Sequence, residues 1–186
     1  MIINEKEIVQ LAVSKLEMVL SELKTCELQE KEKYIIKSNE LFKDTAKSQL
    51  LTNFNYDKDR YVYLIRYLAT EDTSDKIKKA FEDFSSKNTP KIKGITFNLP
   101  RYNEEHTSKY LYVGTSKKLK NRIKQHLGLS SSKQTYSLHL IYWFPKQIDL
   151  GITIIKVSSE NKMVFESIEQ AYWDNYEPLF GKRSGL

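Results

Sequence analysis

At Arg60 the hydrophobic period of the chain changes, and that change constrains the fold class more than any other feature. Upstream, Ile8, Ala12, Leu16, Val19 and Leu23 recur at helical spacing without an intervening Gly or Pro. One amphipathic helix is therefore predicted from Asn4 to about Lys31, capped by Asn4 and favoured at its positive end by Glu5 and Glu7. A second helix is predicted from about Lys33 to Leu51, with Ile36, Leu41, Ala46 and Leu50 on its apolar side. From Arg60 to Tyr67 the chain turns aromatic and β-branched, which reads as a strand.

Further along, Thr73-Ser74 opens a polar helix to about Phe84, and Gly94 to Phe97 is read as a short strand. Lys109 to Gly114 is a second strong strand, followed by Ser116 as N-cap of a basic helix from Lys117 to about Leu127 that Gly128 stops. Tyr136 to Phe144 is read as helix, Ile148 to Val157 as strand, and about Glu160 to Tyr176 as helix, ended by Pro178. Few strands among several helices define an α+β fold: a small, mostly antiparallel central sheet of about three strands flanked by helices. Residues 1–55 are expected to be an N-terminal helical extension, and 56–186 the main domain with an insertion at about 70–105. That extension would pack as a helical hairpin on the main domain or serve as a dimerising arm.

Composition narrows the setting. The chain has 186 residues and a formal charge of +6, with one cysteine, Cys26, which excludes a disulfide scaffold and a cysteine-based zinc site. No apolar run approaches the roughly 20 residues of a membrane helix, and the first residues do not read as a signal peptide; a cytoplasmic setting is expected. Between Glu105 and Asp149 there is no acidic residue, yet the interval holds eight cations: Lys109, Lys117, Lys118, Lys120, Arg122, Lys124, Lys133 and Lys146. Unrelieved like charge opposes compaction unless a polyanion or distant acids offset it, so a phosphate-rich partner is one reading and a neutralised basic face the other.

Strand alternation places Tyr110, Tyr112 and Gly114 on one side and Leu111 and Val113 on the other. Gly114 removes a side chain where a ligand or another backbone approaches. On the helix, Leu119, Ile123 and Leu127 form the buried stripe, and Arg122 and His126 stack one turn apart beside it. Tyr112, Gly114, Arg122 and His126 thus line one concavity at the strand-to-helix turn. Taken singly, the tyrosines read as sheet aromatics, Arg122 as a solvated cation, His106 and His139 as structural, and Trp143 and Trp173 as core.

Taken together, Leu111-Tyr112-Val113-Gly114-Thr115-Ser116 with Leu119, Arg122 and His126 resembles the second half of the GIY-YIG nuclease signature. The arginine falls ten residues after the tyrosine and the histidine four further on. The first tyrosine of that signature matches Tyr63, and its glutamate matches Glu169, ahead of Pro178-Leu179-Phe180. The resemblance covers about residues 59 to 183. Three departures stand out. Tyr61 and Val62 replace the usual glycine and isoleucine. The tyrosines Tyr63 and Tyr112 lie 49 residues apart, so a helix around 73–86 is expected to project from the sheet edge. Gly181 stands where an asparagine is usual. A competing alignment through Gly94-Ile95-Thr96 would replace the first tyrosine by threonine.

The resemblance implies a metal-dependent DNA endonuclease, of restriction type or related to phage or mobile elements, using Mg2+ or another divalent ion such as Mn2+ held by Glu169. In that reading Tyr63 is the general base, Tyr112 positions it, Arg122 grips the scissile phosphate, and His126 relays a proton or touches phosphate. Gly114, Ser116, Lys117, Lys118, Lys120 and Lys124 would line the nucleic-acid surface. The alternative is a nucleic-acid-binding module that kept the scaffold and lost cleavage, to which Gly181 points. Expected partners are DNA and, through the N-terminal helices, a second copy in a homodimer.

Overall fold

A computed structural model describes residues 4–43, 52, 54, 59–69, 73–88, 96–132 and 134–183. Helix α1 (Glu5–Thr25) starts where the Asn4 side chain accepts the Lys6 amide and ends at the extended Cys26. The chain then forms strand β1 (Leu28–Ile36) and the short helix α2 (Ser38–Leu41). This corrects the predicted long first helix and the second helix over 33–51, whose residues 44–51 lie outside the described set. The Glu/Lys run at 30–33 has helical preference, but pairing of residues 28–36 with a neighbouring strand overrides it, and those charges suit an exposed edge. Among the described residues, the helical hairpin behind the expected homodimer is therefore absent.

Strand β2 (Tyr61–Leu68), helix α3 (Ser74–Lys87), β3 (Tyr110–Ser116), helix α4 (Leu119–Leu127), β4 (Asp149–Val157) and helix α5 (Lys162–Tyr176) come next along the chain. The four described strands form one antiparallel sheet in the order β1-β4-β2-β3. Residues 96–97 are not strand, Gly94 and Ile95 lie outside the described residues, and 136–144 holds only a 3-10 turn at Leu140–Tyr142.

Alternation along β2 sends its side chains to two cores. Tyr61, Tyr63, Ile65 and Tyr67 join Leu150, Ile152 and Ile154 beneath α3 and α4. Val62 and Leu64 join Val113, Ile155 and Val157 beneath α5 and Val19 of α1. Helix α3 does not project from the sheet edge as expected; Ile77, Phe81 and Phe84 are buried in the first core, where Phe81 packs edge-on against Trp143 and Phe180. A stripe at helical spacing is buried wherever a sheet face offers matching apolar surface.

A register shift between Ile65 and Arg66 opposes Tyr112 to Ile65 and Tyr110 to Arg66, with Leu111 extra. The bulge breaks strict alternation. Tyr112 packs with the first core and Tyr110 with the second, against Tyr176, so these tyrosines do not share a face as predicted. Past α5, the Leu179 and Phe180 amides donate to Tyr110 and Leu111, covering the outer edge of β3.

Candidate active site

The register that pairs Tyr63 with Gly114 sets the centre of the site. A Cβ on Gly114 would lie 2.5 Å from the Tyr63 phenol oxygen and 2.8 Å from the Tyr112 ring. The close approach that requires glycine is thus by two phenols, not by a ligand or a backbone. The rings of Tyr63 and Tyr112 lie nearly parallel, with centroids 6.1 Å apart.

Arg122 reaches back from α4 and joins them. Its Nε donates to the Tyr63 oxygen at 3.0 Å and its Nη2 to the Tyr112 oxygen at 3.1 Å. Nη2 also donates to the Tyr136 carbonyl at 2.9 Å, and Nη1 to Gln125 Oε1 at 3.2 Å. A guanidinium has five N–H groups; these contacts use four of them. The arginine is no solvated cation.

His126, one turn along α4, is fully buried. Its Nδ1 accepts the Leu138 amide at 3.3 Å, which leaves the proton of the neutral ring on Nε2. Nε2 lies 3.0 Å from the Tyr63 oxygen and donates to it. Burial holds the imidazole well below its usual pKa, and the Arg122 charge adds to the effect. The Tyr63 oxygen therefore receives two donors while its ring is completely enclosed. Burial raises the phenol pKa, and the Arg122 charge opposes that rise.

Glu169 comes from α5, on the other side of the sheet. Its Oε2 accepts the Thr115 hydroxyl at 3.0 Å, which ties the carboxylate to the residue after Gly114. Burial raises its pKa, with the Thr115 hydrogen bond and the Arg122 charge pulling the other way. Glu166, one turn earlier, is instead paired with Lys162 at 3.2 Å. A half-buried carboxylate with one hydroxyl partner fits a single protein ligand for Mg2+, which keeps waters and takes phosphate oxygens. Among the described residues no group of three or more His, Cys, Asp or Glu forms a metal cluster.

The remaining expected residues are dispersed. Ser116 does not cap α4; its Oγ accepts the Lys118 amide in a turn before the helix, whose N-cap is Lys118. Lys117 lies 3.8 Å from Glu160 in an exposed pair, Lys118 is exposed, and Lys120 and Lys124 are partly buried along α4. Thr96 is exposed and makes no part of this cluster, whereas Tyr63 sits at its centre. Gly181 has φ +111°, and a Cβ there would meet the Tyr112 ring at 3.2 Å.

Sequence reasoning missed the 136–139 segment. Its Tyr136 carbonyl and Leu138 amide hold Arg122 and His126, and backbone contacts of that kind leave no residue-type signal. His139 at its end adopts φ +52° with the ring buried and Nε2 2.9 Å from Ser137 Oγ.

Around the four described strands, one arginine thus bridges two phenols, with a half-buried carboxylate tied to the residue after Gly114. Residues 102–183, which carry β3, α4, β4 and α5, match the family model of the GIY-YIG catalytic domain, a nuclease-type fold. Strand β2 lies outside the matched stretch; its Tyr63 joins the cluster through the β2–β3 pairing. Comparison with curated proteins found no match, and neither did comparison with solved structures. Among the described residues, no helix is long and apolar enough to cross a membrane.

Proposed function

We propose that this protein is a divalent-metal-dependent endonuclease that hydrolyses phosphodiester bonds in DNA. The observation that carries the reading is the Arg122 guanidinium bonded at once to the Tyr63 and Tyr112 oxygens. Such a contact couples the candidate phosphate ligand to the candidate proton acceptors. GIY-YIG domains are typically endonucleases and generally depend on a divalent metal, which supports the class of reaction.

Each side chain then has a part. Arg122 grips the scissile phosphate, its planar fork suited to two phosphate oxygens. To do so it exchanges one or more of its internal acceptors, Gln125 or the Tyr136 carbonyl, for phosphate. Tyr112 is half-exposed and Tyr63 is sealed. Reach comes before pKa in choosing a base, so Tyr112 is the phenol that meets the attacking water. Tyr63 orients Arg122 from behind, which reverses the division of labour expected from the sequence. His126 is enclosed and neutral, so it positions Tyr63 instead of touching phosphate. Glu169 would hold Mg2+ or Mn2+, which when bound supplies charge stabilisation at the phosphate and at the leaving oxygen. Lys118, Lys120 and Lys124 hold the DNA backbone without reading sequence. Restriction-type or mobile-element biology in the cytoplasm is the setting we favour.

The second reading, a binding module that has lost cleavage, draws on Gly181 and on the four internal hydrogen bonds of Arg122. Incubation with supercoiled plasmid and Mg2+ separates the two. Nicking or cutting that disappears in Glu169→Ala and Arg122→Ala supports the enzyme. Salt-sensitive retention of intact DNA by the parent protein supports the module and overturns the nuclease.

A further inference from the structure

We infer that Tyr136 stacks on an unpaired base next to the scissile phosphate, so that the protein favours strands with an unstacked nucleotide at the cut. This rests on the nuclease reading and names a substrate feature for it. Tyr136 is 64% exposed, although its own carbonyl accepts Arg122 Nη2 at 2.9 Å. An aromatic ring thus stands in solvent one residue's reach from the candidate phosphate ligand.

The backbone beneath the ring is held on both sides. Asn98 Nδ2 donates to the Gln134 carbonyl at 2.8 Å, and the Ser137 amide donates to the Asn98 carbonyl at 3.3 Å. Ser137 Oγ donates to the Thr135 carbonyl at 3.1 Å, and the Leu138 amide is fixed on His126. A tyrosine has only two side-chain torsions to order, so a ring on such a base loses little entropy on contact. No acidic residue lies between Glu105 and Asp149, so the chain around the ring carries nothing to repel a phosphate strand.

Geometry selects the partner. In a duplex both faces of each base are covered by its neighbours, and a ring on an exposed loop finds a free π-face only where a base is unpaired or displaced. Stacking of this sort is sequence-tolerant and accounts for about a fivefold to hundredfold change in affinity per base.

The test compares two labelled oligonucleotides by fluorescence anisotropy without divalent metal, so that nothing is cut: a perfect duplex and the same duplex with one unpaired base. The parent chain, Tyr136→Ala and Tyr136→Trp are each measured after thermal melting shows equal stability. The expected result is tighter binding of the unpaired substrate by the parent, lost about fivefold to hundredfold in Tyr136→Ala and kept in Tyr136→Trp. Equal binding of both substrates by parent and Tyr136→Ala overturns the inference, as does an equal loss on both, and either leaves the nuclease reading standing. Failure of the parent protein to bind either oligonucleotide removes the nuclease reading and this inference together.

Discussion

Gly114 and Tyr63 face each other across the β2–β3 ladder so closely that the glycine Cα forms the floor under the phenol oxygen. Any side chain at 114 must displace the ring that Arg122 and His126 both hold. Gly114→Ala is expected to destabilise the fold by about 1–3 kcal/mol, the usual range for overpacking. Activity should fall further than stability explains. Urea midpoints and plasmid nicking, measured side by side, check both parts; wild-type nicking would break the link between this contact and the reaction.

Arg122→Lys keeps the charge but cannot span two phenol oxygens. We expect a loss of about 100-fold or more in cleavage rate, the scale of removing a charge-stabilising donor from a reacting centre. Single-turnover rates at saturating protein measure it. A loss below fivefold would mean that the bridge is dispensable.

Tyr112→Phe and Tyr63→Phe should differ in degree. With Tyr112 as the group facing water, its phenylalanine variant loses the larger share of the cleavage rate, while Tyr63→Phe, which leaves that phenol in place, lowers the rate less. Single-turnover rates of the two variants distinguish them. A larger loss in Tyr63→Phe would restore the order expected from the sequence.

His139 has its pKa held down to about 4, first by burial and then by the Arg122 charge. The unfolded value is near 6.5, so folded stability from this group is full above about pH 6.5 and is lost as pH falls toward 4. Denaturation midpoints should drop across that window. His139→Asn, a residue that tolerates the left-handed backbone, should flatten the drop in part, since buried His126 shifts in the same direction. An unchanged pH dependence would refute the assignment.

Burial keeps the Glu169 carboxyl above its ordinary range. Proton and metal then compete for it, so the Mg2+ concentration needed for half-maximal cleavage should rise as pH is lowered from 8 to 6. Glu169→Gln should abolish the metal response at every pH. Cleavage by Glu169→Gln at parental Mg2+ concentrations would exclude this carboxylate as the ligand.

Much of the architecture is legible in residue order. The strands at 61–68, 110–116 and 149–157, the helices at 74–87 and 162–176, and the α+β class all follow from hydrophobic period. Spacing alone draws Arg122, His126 and Tyr112 together, because one strand and the next helix turn fix their relation. The failures share a cause. Residues 28–36 carry helical propensity, and only a partner strand from more than a hundred residues away makes them β. The Leu111 bulge, the burial of α3 and the 136–139 backbone contacts depend equally on distant surfaces, which local pattern does not encode.

Helix α3 belongs to the keel of the molecule. The stretch separating the two tyrosines contributes Ile77, Phe81 and Phe84 to the same interior that supports Tyr63. Trimming that stretch to a tight hairpin would bring the motifs together in the chain while hollowing out the ground on which one of them stands. Evolutionary shortening here would therefore have to be accompanied by refilling, and homologues with a briefer link should carry bulkier side chains opposite Trp143 and Phe180.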